Sequence, residues 1–138
     1  MKAAKILILE DEQLVAFDLC SALERNGYVV VGTAKSADEA IDLAQQHVSL
    51  DLMIVDFKIR GQLNGEEAAS AVRSHFNKPI PVIFISASPL NDIKERLPAD
   101  PCVFLTKPFK HESLLQCVED ILRADASWTT SAESRTKS

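Results

Sequence analysis

Side chains able to do chemistry occur at four points of this 138-residue chain, each just after an apolar run. Lys5-Ile6-Leu7-Ile8-Leu9 leads into Glu10-Asp11-Glu12, and Leu52-Met53-Ile54-Val55 leads into Asp56. Val82-Ile83-Phe84-Ile85 ends in Ser86, and Val103-Phe104-Leu105 ends in Thr106-Lys107-Pro108. Carboxylates brought together repel, and one must protonate unless a cation neutralises them. Mg2+ suits such a place because it is hard, takes oxygen ligands and keeps several waters while using one or two carboxylates. Asp11 and Asp56 can supply those carboxylates, and the longer Glu10 can act through a metal-bound water. A carboxylate beside Mg2+ can attack phosphorus to form an acyl phosphate, while the metal offsets charge on the phosphoryl oxygens. Lys107 adds a positive point charge for one of those oxygens, and Ser86 a hydrogen bond for another. Each residue alone has an ordinary reading: an acid at a strand or helix start, a surface lysine, a turn serine. Four matching types at four strand ends argue for one site.

They share a site only if the four runs are neighbouring strands. The runs ending at Leu9, Val55 and Ile85 are continuous and apolar, as in strands buried on both faces of a parallel sheet. Tyr28-Val29-Val30-Val31 adds a β-branched strand, giving five with Val103–Leu105. Between them lie helical patterns. Leu14 to Asn26 carries Val15, Leu19, Cys20 and Leu23 at helical spacing, and Gly27 supplies a stop. Ser36-Ala37-Asp38-Glu39 is a capping box that opens a helix through Ile41, Leu43 and Ala44. Asn64, with Glu67 three positions on, caps a helix to about Ser74. Asn91 to Leu97 reads as a short, weak helix, and Glu112 to Arg123 as a clear amphipathic one. Five strand–helix units predict an open, doubly wound α/β sheet with helices on both faces. Ligands of such sheets bind outside the carboxyl ends of the strands, where all four points fall.

Composition narrows the function further. Apolar residues make up 46% and charged residues 25%, as in an ordinary globular domain. The net charge of -5 argues against nucleic-acid binding, which rests on a basic patch. No apolar run approaches the ~20 residues of a membrane span, and the start lacks a signal-peptide pattern, so the expected location is the cytoplasm. Cys20, Cys102 and Cys117 are too few and too scattered for a disulfide framework or a zinc site, and are expected as reduced, mostly buried thiols. His47, His75 and His111 share no ligand spacing and are expected in surface or cap roles.

In this order, Ile6-Leu7-Ile8-Leu9-Glu10-Asp11-Glu12, Leu52-Met53-Ile54-Val55-Asp56, Ile85-Ser86-Ala87 and Thr106-Lys107-Pro108-Phe109 resemble the response-regulator receiver family, over about residues 4–123. The resemblance implies a flavodoxin-like five-stranded parallel sheet in order 2-1-3-4-5. It implies Asp56 as phosphoacceptor, with Mg2+ held by Asp11, Asp56 and the backbone carbonyl of Lys58. Ser86 and Lys107 would read the phosphoryl group, and Ser86 and Phe104 would act as switch residues that carry the change to a protein-binding face. The Lys107–Pro108 bond resembles the family's cis peptide, a form X-Pro bonds adopt at modest cost. The donor would be a histidine kinase or histidine phosphotransfer protein, and the output an unknown protein target. Four features depart from the common pattern. Arg60 stands where many receivers have proline, and the spacing from Asp56 to Gly65 is one residue longer than usual. The helix after the fourth strand is short and carries Pro89 and Pro98, and Glu10 stands where Asp is frequent.

The expected organisation is a receiver domain over 1–123 and a disordered tail over 124–138, rich in Ser, Thr and Ala. A stand-alone regulator is the favoured expectation. An aspartyl phosphatase commonly needs a second acid two residues after its nucleophile; here that residue is Lys58, so no enzymatic turnover is expected. A flavin or nucleotide binder needs a phosphate loop after the first strand, where Glu10-Asp11-Glu12 would repel phosphate. A phosphorylation-independent interaction module on the same fold remains the alternative; it would have no need of the acidic pocket.

Overall fold

A computed structural model describes residues 3–57, 65–76, 79–86 and 102–123. Five strands, β1 (Lys5–Leu9), β2 (Val29–Ala34), β3 (Leu52–Asp56), β4 (Val82–Ser86) and β5 (Cys102–Thr106), form one sheet in the order β2-β1-β3-β4-β5. All four pairings are parallel. Four helices are described: α1 (Gln13–Arg25), α2 (Ala37–Gln45), α3 (Gly65–Phe76) and α4 (His111–Arg123).

The apolar strand runs are buried on both sides, as their lack of alternation requires. Alternate residues feed two separate cores. Leu7, Leu9, Met53, Val55, Val82, Phe84 and Phe104 face the helices α2 and α3. Ile6, Ile8, Leu52, Ile54, Ile83 and Ile85 face Leu19 and Leu23 of α1 and Leu114, Val118 and Ile121 of α4. A fully buried side chain of this size contributes about 1.5–3 kcal/mol, so the strands are held in a single register.

Local signals end the elements. Ser36 accepts a hydrogen bond from the Glu39 amide at 3.2 Å, the first half of the expected capping box, while Glu39 Oε1 accepts at 2.9 Å from the amide of Lys35, one residue before the N-cap. Gly27, with φ +88°, follows α1 in the left-handed conformation that glycine adopts without a Cβ penalty. The second strand runs three residues past the expected Val31, through Gly32-Thr33-Ala34. Pairing of Leu7, Leu9 and their neighbour Ile8 with these residues overrides their weak strand propensity, after a register shift between Ile6 and Leu7. α3 runs two residues beyond Ser74. Asn64, the helix expected over 91–97 and the tail 124–138 lie outside the described residues. The three cysteines are free thiols, two of them buried. No described helix is long and apolar enough to cross a membrane.

Candidate functional site

The parallel order brings the carboxyl ends of β1, β3, β4 and β5 to one rim, and four of the expected side chains meet there. Glu10 leaves β1, and its amide donates to the Ala34 carbonyl at 2.9 Å, so its position is fixed from β2 as well. Its side chain is 1% exposed. Glu10 Oε2 accepts from the Glu12 amide at 3.0 Å, and Oε1 lies 3.5 Å from Lys107 Nζ. Asp56 closes β3, with Oδ2 3.7 Å from the same ammonium. The Lys107 amide donates to the Ser86 carbonyl at 2.8 Å, tying the ends of β4 and β5 together. Ser86 itself is buried, and the Lys107–Pro108 peptide is cis. Asp11 completes an acidic group in which one oxygen each from Glu10, Asp11 and Asp56 lies within 4.8 Å of the others.

Three carboxyl groups crowd together here, and two of them, those of Glu10 and Asp56, share the Lys107 ammonium. Two like charges about 4 Å apart repel by roughly 4 kcal/mol at the effective dielectric of a partly shielded site. The cluster answers by holding a proton. Burial raises the Glu10 carboxyl to about 7 from an ordinary 4.5, and the Asp56 charge adds to the rise. The Glu12 amide and Lys107 pull the other way without cancelling it. A divalent cation between these oxygens would relieve the same repulsion, and three hard oxygen donors suit Mg2+ rather than a thiophilic metal. The residues therefore fit such an ion.

The raised carboxyl has a sign that can be measured. Between pH 4.5 and 7 folded Glu10 keeps a proton that the unfolded chain has released. Stability from this group is therefore complete below about 4.5 and is lost as the pH climbs through 7. At roughly 1.4 kcal/mol per unit, the loss is about 3 kcal/mol at most. Thermal melts in chelator should show the decline, and Glu10→Gln should flatten it. An equal slope in the Gln variant would assign the effect to another group.

The profile of the response regulator receiver domain matches residues 6–119 of this chain. The chain belongs to that family. It is a receiver domain of the kind used in two-component signalling, and its Glu10, Asp11 and Asp56 cluster fits the family's phosphoacceptor site. Receivers bind Mg2+ at this acidic rim. Among similar curated proteins is the transcriptional regulatory protein PdtaR of Mycobacterium tuberculosis, 35% identical over 116 residues. That match covers 83% of this chain and 55% of PdtaR. The phyllosphere-induced regulator PhyR of Methylorubrum extorquens is 31% identical over 120 residues, covering 87% of this chain and 44% of PhyR. The crystal structure of the anti-anti-sigma factor PhyR from Bartonella quintana superposes with a TM-score of 0.75 at 30% identity, covering 88% of this chain and 48% of that one. The receiver chain thus spans about half the length of the curated relatives it matches.

Phe104, the expected switch residue, is buried against Phe84 and Phe57. Lys58, expected to offer its carbonyl to the metal, lies outside the described residues, as does Arg60. Sequence reasoning gave no structural role to two residues packed behind the acceptor, although it noted the spacing of one of them. Phe57 follows Asp56 directly, and its amide is held by the Ile85 carbonyl at 2.9 Å. Gly65 opens α3 against the Asp56 carbonyl, where an added Cβ would lie 2.3 Å from that oxygen. The only signals for either were an aromatic next to the acceptor and a glycine at an unusual spacing from it.

Proposed function

We propose that this chain takes a phosphoryl group onto Asp56 from a histidine kinase or histidine phosphotransfer protein, and that the acyl phosphate alters a surface read by another protein. The observation that carries this reading is the convergence of Asp56, Glu10 and Asp11 with Lys107 at one rim, Lys107 Nζ standing 3.7 Å from Asp56 Oδ2. Asp56 supplies the attacking oxygen; its O–P bond forms as the donor's bond to phosphorus breaks. The Lys107 ammonium then has a phosphoryl oxygen to pair with in place of a share in two carboxylates. The Ser86 hydroxyl, at the end of β4, donates to another oxygen. Asp11 and Asp56, with the Lys58 carbonyl and with Glu10 acting through water, would hold Mg2+, which offsets charge on the phosphoryl oxygens when bound. Lys58 occupies the place of a second acid, so the reading is of an acceptor and switch rather than a turnover enzyme. A cytoplasmic location agrees with the lack of a spanning helix among the described residues. The net charge of -5 and protein-borne phosphate favour a protein target over nucleic acid.

The test is incubation with acetyl phosphate and Mg2+, followed by intact mass. One added phosphoryl group, labile to hydroxylamine, is expected. A chain that stays unlabelled under conditions that label another receiver would remove the proposal.

Metal binding has its own expected outcome. Mg2+ should bind weakly without phosphate, and Asp11→Ala should lower its affinity about 10-fold or more, since it removes one of only a few charged ligands. Asp11 is partly exposed, so the fold should persist. Calorimetric titration checks both, and equal affinity in the variant would place the ion elsewhere.

A further inference from the structure

Three aromatic rings run from the end of the central strand to the edge of the sheet. Phe57 stands edge-on to Phe84, with ring centroids 5.4 Å apart and planes at 89°. It also meets Phe104 at 5.4 Å and 66°. Phe84 and Phe104 are register partners on β4 and β5, and their rings stack at 5.3 Å and 26°. All three are at most 2% exposed.

We infer that Phe57 is a positioning residue that carries the phosphorylation state of Asp56 across β4 to the edge strand β5, through ring contact with Phe84 and Phe104. The inference rests on the reading of Asp56 as acceptor. Asp56 is the last residue of β3 and Phe57 the first beyond it. The carboxylate faces the rim, and the Phe57 ring lies in the core that also takes Met53, Val55, Ala68 and Ala69. The Phe57 backbone is pinned on both sides, its amide by the Ile85 carbonyl and its carbonyl by the Gly65 amide at 3.4 Å. With those bonds kept, a shift at Asp56 is taken up by rotation near the Phe57 Cα, which swings the ring. The ring is buried and already in contact with Phe84 and Phe104, and close-packed interiors transmit displacement rather than absorb it. An edge-on ring pushing on a stacked pair moves both members, and the second of them sits on β5. Ser86 offers a separate, polar route along the rim, since its carbonyl receives the Lys107 amide. If Phe57 were only filler, a smaller apolar side chain would cost stability and leave the response at β5 intact.

The experiment uses the full chain, with beryllofluoride and Mg2+ as the phosphoryl mimic, and follows the ring carbon signals of Phe84 and Phe104 by NMR. Wild-type signals should shift on addition. In Phe57→Leu the Phe104 shift should shrink about three-fold or more, within the range over which contacts along a coupling network alter transmission. Acetyl phosphate should still label the variant to near the wild-type extent. Undiminished Phe104 shifts in Phe57→Leu would overturn the inference. Should that variant not fold, Phe57→Met and Phe84→Leu interrupt the same path and carry the same expectation. A wild-type chain that takes no phosphoryl group on Asp56 instead defeats the acceptor reading, so the two failures are told apart.

Discussion

Asp56→Asn should abolish phosphorylation while leaving the fold at least as stable. The amide is nearly isosteric with the carboxylate, so β3 keeps its pairing with β1 and β4. It is not a nucleophile toward phosphorus, so no acyl phosphate can form at this position. Labelling by acetyl phosphate should fall below detection, about 100-fold or more, because an entire bond-forming group is lost rather than a supporting contact. The second half of the expectation is electrostatic. The Asp56 charge helps raise the Glu10 carboxyl, so its removal lets Glu10 ionise at lower pH and keep Lys107 as a partner 3.5 Å away. Melting near neutral pH in chelator should therefore hold or rise. Intact mass and a thermal melt on the same preparation check both halves. Labelling that persists in Asp56→Asn would move the acceptor to another carboxylate of the rim.

How much of this was legible in the chain depends on how local each signal was. Continuous apolar runs ending in Glu10, Asp56, Ser86 and Lys107 are complete statements by themselves: buried parallel strands place their last residues on one rim. The capping signal of α2 is equally local: Ser36 caps the helix as read, with Glu39 reaching back one residue further, to the Lys35 amide. The far half of β2 was not legible, because Gly32-Thr33-Ala34 becomes a strand only through pairing with β1 after a register shift. Phe57 could be read as apolar, but not as edge-on to two rings contributed by other strands. Nor could the sequence show that Glu10 engages the Glu12 amide and Lys107 while also joining the acidic group. Such facts belong to tertiary packing, and no period or spacing encodes them.

Gly65 gives the sharpest case. Gly65→Ala should destabilise the protein by about 1–3 kcal/mol and slow phosphorylation roughly 10-fold or more. Helix propensity alone predicts the opposite sign, since alanine is better than glycine inside a helix by about 1 kcal/mol. The clash decides. A Cβ at Gly65 would stand 2.3 Å from the Asp56 carbonyl oxygen, 3.0 Å from Val55 Cγ1 and 3.1 Å from the Phe57 Cα. Two of these three atoms are backbone, so no side chain can turn aside. Either α3 backs away, opening the packing of Ala68, Ala69 and Val72, or the end of β3 shifts and takes the acceptor with it. Both routes cost packing, and the second also displaces Asp56 from Lys107. Gly27→Ala is the control, because it strains a backbone at φ +88° with nothing within 4 Å and is remote from the rim. It should cost about 1 kcal/mol and leave the phosphorylation rate unchanged. Denaturant melts and labelling time courses on the two variants separate general destabilisation from displacement of the acceptor. A Gly65→Ala protein that melts higher and labels at the wild-type rate would show that α3 can retreat without moving β3, and would detach Gly65 from the placement of Asp56.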